Sequence, residues 1–324
     1  MPSPADSQRD DFADRVAGWL ADAQSVVAFT GAGVGTERVV ADFRWTGGSW
    51  SQTQPVYFDD FLASADARKE YWRQKSLAHR DFALAQPNVG HRVLAAWEAA
   101  ARLRGVITQN IDGLHQLAGN RHVLELHGTA RAIGCLDCGA RYEPESLIEQ
   151  FQRTGEVPPC PACAGRLKTA TISFGQALPE DVLTQSIHWV ESCDLLLVMG
   201  SSLVVEPAAS IPRIAAHGDA RVVIINREPT PQDHTADAVI HDSIGAALSA
   251  VEPALARIYC LHLLVGIVPA AEHYVLPRQF VVFLDQPVAV RRPFLEHLLL
   301  AHLVQQFDRH VRIFQAELHQ HDTA

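Results

Sequence analysis

The sequence predicts an α/β protein built on a doubly wound parallel sheet, with a smaller lobe inserted into it. Three observations carry that expectation. Short apolar, β-branched runs alternate with longer stretches whose apolar residues recur at helical spacing; the first run passes straight into a glycine-rich turn; and two Cys-x2-Cys pairs interrupt the alternation.

The elements follow in order. "DDFADRVAGWLADA" has helical spacing and precedes the apolar run "SVVAF" (25–29). "VGHRVLAAWEAAARL" precedes "GVITQN" (105–110), and "HVLELH" (122–127), "DLLLVMG" (194–200) and "ARVVIIN" (220–226) complete the set, the last after the helix-like "EPAASIPRIAAHG". Continuous apolar runs of this length suit strands buried on both faces of a parallel sheet. Ligands of such sheets bind beyond the carboxyl ends of the strands, where the glycines at 31–35, "TQNIDGLH" and "MGSSL" all fall. Two stretches break the pattern. Residues 45–80 are aromatic-rich and read as a helical module after a Gly-Gly turn. Residues 133–167 hold the paired cysteines with little hydrophobic periodicity, a segment unable to build its own core and so in need of a metal.

Composition narrows the function. The 324 residues are 48% hydrophobic, enough for a full core, and the formal net charge is -10. No basic block or aromatic-basic alternation appears, which argues against nucleic acid as a partner. The polar, acidic start "MPSPADSQRDDF" has neither signal-peptide nor transit-peptide character, so a cytoplasmic protein is expected. The tail from 258 to 324 carries seven histidines, and its apolar run "IYCLHLLVGIVPA" is too short to span a bilayer, so no membrane association is expected. A histidine-bound metal is the sharp reading of this extension and a packed or loosely ordered appendage the preferred one; "RPFLEHLLLAHLVQQFDRHVRIFQAEL" suits one amphipathic helix from Pro293.

Cys135, Cys138, Cys160 and Cys163 form two Cys-x2-Cys pairs with 21 residues between them, the spacing of a four-thiolate zinc ribbon. Four thiolates leave no open coordination position, so the metal is expected to be structural. Gly31, Gly33 and Gly35 give G-x-G-x-G, which is neither the dinucleotide fingerprint nor a Walker loop; a plain tight turn is nearly as good a reading as a phosphate cradle. Gln109, Asn110, Asp112 and His115 cluster after one strand end, where Asn and Asp suit an amide-bearing ligand. His127 ends another and is placed to act as a base. "GSSL" (200–203) and "INREP" (225–229) suit phosphate, hydroxyl and ribose contacts.

Together and in this order, "TGAG" with "DFR", "TQNIDGLH", "LELHG", the cysteine pairs, "ISFGQALP", "VMGSSLVVEPA" and "IINREPT" resemble the sirtuin family of NAD-dependent protein lysine deacylases, over residues 12–250. "EYWRQK" and "QPNVGH" resemble its class II branch. The resemblance implies a Rossmann-like NAD domain in three parts (12–44, 81–132 and 168–250), the helical module at 45–80, a zinc module at 133–167 and an extension at 258–324. It implies NAD as co-substrate, one structural zinc and an acyl-lysine protein or peptide as partner. By the same resemblance Gly31, Ala32 and Gly33 face the pyrophosphate, and Phe43 and Arg44 close over the reacting ribose, with Asp42 among the cofactor-binding residues. Gln109 reaches that ribose, and Asn110 and Asp112 line the nicotinamide pocket. Gly200, Ser201 and Ser202 contact phosphate and ribose, with Asn226 at the adenine-side ribose and Glu228 also cofactor-binding. Phe174, Gly175, Leu203, Val204 and Val205 flank an extended peptide that adds as a strand. His127 is the implied general base, a role worth roughly 10²–10⁴-fold in rate. The products are then free lysine, nicotinamide and acyl-ADP-ribose.

The sequence departs from the family pattern after the glycines. Gly35 and Arg38 stand where serines are usual, and Val39, Val40 and Ala41 replace Gly-Ile-Pro. Reduced NAD affinity and turnover are therefore expected. Two other functions stay open at this point: protein mono-ADP-ribosyl transfer, and a non-catalytic NAD-sensing or peptide-binding module. A preference for acidic acyl chains would call for Tyr and Arg three residues apart; Tyr71 and Arg73 are two apart and turn to different helix faces, so acetyl or another uncharged chain is expected. A monomer is the favoured state.

Overall fold

The computed structural model describes residues 4–35 and 54–265. The chain opens with α1 (Pro4–Asp22) and β1 (Val26–Thr30), and a single 3-10 turn over Ala32–Val34 follows. Then come α2 (Phe58–Ala63), α3 (Ala65–Leu84), α4 (Val89–Ala99), β2 (Gly105–Thr108), α5 (Leu114–Ala118) and β3 (Val123–Glu125). The inserted lobe supplies β4 (Gly128–Cys135), β5 (Arg141–Tyr142), α6 (Pro144–Thr154) and β6 (Leu167–Thr171). The chain then returns through α7 (Glu180–Glu191), β7 (Leu195–Met199), α8 (Ser210–His217), β8 (Arg221–Ile225), β9 (Ala238–Ile240) and α9 (Ile244–Val265).

Six strands make one parallel sheet in the order β3-β2-β1-β7-β8-β9. Strand order reverses between β1 and β7, the place where such sheets open a crevice for ligands. The apolar runs are continuous because both faces are covered. Val26, Ala28, Leu195, Leu197 and Met199 pack on one side with Phe12 and Val16 of α1, Leu94 and Trp97 of α4, and Leu248 and Val251 of α9. Val27, Phe29, Leu196 and Val198 pack on the other side with Trp189 of α7 and Ile211 of α8. Each fully buried Val, Leu, Ile or Phe contributes about 1.5–3 kcal/mol, so the sheet is the rigid base from which the connecting loops project.

Several boundaries move from the sequence reading. The expected strand over 122–127 is cut to Val123–Glu125, because the Leu126 amide makes the last ladder bond to Thr108 and Gly128, at φ +69°, turns the chain. His127 therefore stands beyond the strand. α3 continues to Leu84, past the expected end of the helical module at 80, since no breaker occurs before Pro87. α9 passes through the expected boundary at 258. The helix expected from Pro293 lies outside the described residues, and no helix among the described residues is long and apolar enough to cross a membrane.

The inserted lobe corrects a second expectation. Residues 133–167 do share a core: Ile133, Leu147, Ile148, Phe151 and Leu167 pack with Phe61, Tyr71 and Trp72 from α2 and α3. The Trp72 indole donates to the Leu167 carbonyl at 2.9 Å. Leu147, Ile148 and Phe151 lie on one face of α6, which begins at Pro144 and ends at Gly155 with φ +67°. That amphipathic helix hides between cysteine pairs that contribute no periodicity of their own. β4 pairs antiparallel with β5 and β6 as a three-stranded sheet.

Candidate active site

The site is assembled where the loops after β1, β2 and β7 meet. Gly31 N–H donates to Met199 O at 3.0 Å and Gly33 N–H to Gly200 O at 2.7 Å. A Cβ on Gly33 would lie 2.6 Å from Gly200 Cα, and one on Gly31 2.7 Å from Gly200 O. Gly200 itself has φ +64°, and its Cβ would lie 2.4 Å from the Val34 amide. These glycines thus let two loops interlock; Gly31 and Gly33 already spend an amide each on protein carbonyls. Ala32 between them is exposed, and its N–H, at the start of the 3-10 turn, makes no hydrogen bond among the described residues. Asn88, which caps α4, holds the turn from below by donating to the Val34 carbonyl.

The loop after β2 ties into both neighbours. The Gln109 side-chain amide donates to Ser201 Oγ at 2.7 Å, which also accepts from Leu203 N–H at 3.3 Å. Asn110 Nδ2 donates to Gly31 O at 3.0 Å. Asp112 is buried, and its carboxylate accepts from the Leu114 amide at 2.9 Å. Burial raises its pKa, opposed by that hydrogen bond and by the Arg131 charge. Arg131 lies beneath this loop and donates through Nε to the Asp112 carbonyl at 2.5 Å. A Cβ on Gly113, at φ +68°, would sit 2.6 Å from the Arg131 side chain. His127 is half-buried, with Nδ1 2.9 Å from Gln109 O.

His115 faces elsewhere. The sequence groups it with Gln109, Asn110 and Asp112, yet it is buried in the core with Nε2 3.0 Å from Thr30 Oγ1 and its ring 4.7 Å from that of His91. It lies on α5, one residue past the loop that carries the others, and that helix turns it inward. Thr30, Thr108 and His91 fall within "TGAG", "TQNIDGLH" and "QPNVGH" but carry no assigned role there, and Arg131 lies in none of the motifs; all four pack beneath the site. Thr30 and Thr108 each end one of two adjacent parallel strands with a hydroxyl, and the two hydroxyls meet at 2.8 Å.

Around this centre Ser202 is exposed, while Leu203 is buried in the core at φ +53° and Val204 is exposed. Phe174 is exposed and stacks against Tyr57, with ring centroids 5.9 Å apart, and Gly175 follows at φ +82°. Asn226 closes on its own loop, donating to Glu228 O at 2.6 Å; Glu228 is exposed. Asp42, Phe43, Arg44 and the altered stretch 38–41 lie outside the described residues.

In the inserted lobe the four cysteine sulfurs lie within 4.8 Å of one another, Cys135 and Cys163 at 3.6 Å and Cys138 and Cys160 at 3.7 Å. Zn–S bonds of about 2.3 Å at tetrahedral angles put sulfurs about 3.8 Å apart, so this donor set fits zinc. The knuckles are braced from outside. Arg166 donates from its backbone and its guanidinium to Asp137, each at 2.7 Å, and Gly165 N–H points at Cys163 Sγ at 3.4 Å.

The Sir2 family profile matches residues 31–207, from the β1 loop through the cysteine lobe to the β7 loop, with Asn226 and Glu228 beyond it. The chain belongs to the Sir2 family. An NAD-dependent protein deacetylase of Rhodopseudomonas palustris is 48% identical over 231 residues, covering 71% of this chain and 91% of that protein. A solved Sir2 enzyme is 36% identical with a TM-score of 0.66, covering 77% of this chain and 99% of the other. A Sir2 structure with a p53 peptide and NAD+ is 32% identical with a TM-score of 0.64, covering 78% and 98%. The Sir2 core thus occupies about three quarters of the chain.

Proposed function

We propose that this Sir2 protein removes acyl groups from protein lysine side chains at the expense of NAD, giving nicotinamide and acyl-ADP-ribose. The observation that carries the reading is the loop after β2, which bonds to the glycine turn through Asn110 and Gly31 O beside the crossover between β1 and β7 and holds His127 through the Gln109 carbonyl. The residues suit NAD. The Ala32 amide, which makes no hydrogen bond among the described residues, and exposed Ser202 offer donors to a phosphate, and Asn110 and the buried Asp112 suit the nicotinamide amide. When bound, NAD supplies an electrophilic ribose carbon and a neutral leaving group. Gln109 orients His127 through its carbonyl, and His127 takes a proton from a ribose hydroxyl. Gly31, Gly33, Gly200 and Ser201 hold the loops in register, while Asn226 and Glu228 face the adenine side. Asp42, Phe43 and Arg44 belong to the same cofactor set. Phe174, Gly175 and Val204 receive the peptide, with Leu203 presenting its backbone. The four cysteines hold a structural zinc that keeps the small lobe folded.

Uncharged acyl chains fit best. Tyr71 is buried and its hydroxyl is engaged by Thr169 and Thr171, whereas Arg73 is exposed and paired with Glu70 at 2.7 Å. The pair does not converge on one acyl terminus. The class II branch is supported by "EYWRQK" and "QPNVGH". Incubation with NAD and a panel of acyl-lysine peptides, read by mass spectrometry, tests the proposal. Acyl-ADP-ribose abolished by His127→Ala supports deacylation; nicotinamide without it would shift the reading to ADP-ribosyl transfer. A best substrate of succinyl-lysine would overturn the acyl preference.

A further inference from the structure

Lys168 of β6 is one of three lysines in the chain, and its side chain is 2% exposed. Buried ammonium groups are normally paired with a carboxylate; among the described residues none lies within ion-pair reach of this one. Its Nζ instead donates to Thr171 O at 2.5 Å and to Gln176 Oε1 at 3.2 Å, with Thr169 O at 3.4 Å. The same Gln176 oxygen accepts the Ser173 amide at 3.1 Å, and Gln176 N–H returns to Ser173 O at 3.0 Å. One ammonium therefore ties the start of the 171–176 turn to its end. At the tip stands exposed Phe174, whose carbonyl accepts the Phe58 amide at 2.9 Å, and the Phe58 ring lies 6.0 Å from the ammonium.

We propose that Lys168 is the positioning residue of the acyl-peptide site, its ammonium clamping Thr171 and Gln176 so that Phe174 and Gly175 are held in the geometry that receives the substrate strand. This rests on the deacylase reading. A neutral amine makes weaker hydrogen bonds than an ammonium, so the clamp depends on protonation. Burial pushes the Lys168 pKa down to about 7, and the Lys75 charge on α3 adds to the effect. Lys75 is itself pushed down to about 8 by burial. Tyr71, the other titratable group against Lys168, has its pKa raised by burial and stays a neutral phenol. Peptide affinity then falls as pH rises through about 7. A carboxylate in place of the Gln176 amide would keep the ammonium charged to higher pH and flatten that profile.

The test is the affinity of the full chain for a fluorescent acetyl-lysine peptide by anisotropy between pH 6 and 8.5, with NAD affinity and Tm measured alongside. Lys168→Met is expected to weaken the peptide roughly tenfold at pH 6 while leaving NAD affinity and Tm at wild-type values. Gln176→Glu is expected to remove the wild-type loss of affinity above pH 7. Unchanged peptide affinity in Lys168→Met, equal loss of peptide and NAD affinity, or a Gln176→Glu profile that coincides with wild type would each overturn the proposal. A wild-type chain that binds no acyl-lysine peptide would overturn the deacylase reading and this inference with it.

Discussion

The Nδ1 atom of His127 lies 2.9 Å from the backbone carbonyl of Gln109. A carbonyl only accepts, so Nδ1 carries the proton and the neutral ring keeps its lone pair on Nε2, the arrangement a general base requires. His127→Ala should lower the rate of acyl-ADP-ribose formation by about 10²–10⁴-fold while NAD still binds. Single-turnover kinetics with calorimetric NAD titration separates the two effects. Loss of NAD binding to the same degree would give His127 a different role.

The four sulfurs of Cys135, Cys138, Cys160 and Cys163 should hold one zinc per chain. Because Ile133, Leu147 and Leu167 share a core with Trp72, removing the metal should loosen α3 as well as the ribbon. A strong chelator is expected to lower Tm by roughly 10 °C or more and to shift the Trp72 emission toward that of exposed indole. A zinc-free protein with an unchanged melting curve would refute this.

Two glycines should respond oppositely to alanine. A Cβ on Gly33 meets Gly200 backbone at 2.6 Å, so Gly33→Ala forces the interlocked loops apart at a cost of about 1–3 kcal/mol and raises the KM for NAD. Gly18, within α1, has nothing within 4 Å of an added Cβ. Gly18→Ala should stabilise the protein by about 0.5–1 kcal/mol. Urea unfolding midpoints of the two variants decide the matter.

Acid should destabilise the fold well before the carboxylates titrate. Burial holds the His91 pKa down to about 4 and His115 to about 3, with Arg92 adding to the first and His91 to the second. Unfolded histidines take up protons below about pH 6.5, where these folded rings remain neutral. The unfolded state therefore binds more protons, and stability drops as pH falls from about 6.5 towards 4. At pH 5 each ring contributes a loss on the order of 2 kcal/mol. Urea midpoints at pH 7.5 and pH 5 should differ accordingly, and the difference should shrink in His91→Gln.

The strands most legible in sequence were those whose neighbours bury both faces: "SVVAF" and "DLLLVMG" are apolar throughout because α1 and α4 cover one side and α7 and α8 the other. Ala238–Ile240 has only three residues on the sheet edge and left no comparable run. The cysteine spacing identified a metal ribbon, but α6 escaped notice because its apolar face is completed by Trp72, some 75 residues earlier. At the site, motif residues such as Asn110 and His127 stood out by chemistry. Arg131 and Lys168 did not, since a positive charge in a strand announces nothing until its carbonyl partners fold beneath it. In sequence the glycines at 31 and 33 suit a phosphate cradle or a plain tight turn, whereas much of what they relieve is the approach of Gly200.

That interlock has a consequence for how the protein comes into being. Two amides of the turn after β1 are bonded to carbonyls at Met199 and Gly200, which leave the ribosome long after Asn110 and His127 have emerged. A nascent chain that stops short of β7 holds His127 without the β7 loop that completes the site around the glycine turn. Sheet closure and site assembly become one event late in synthesis, so partly made chains carry the residues of the enzyme without its ability to consume a metabolite on which the rest of the cell depends.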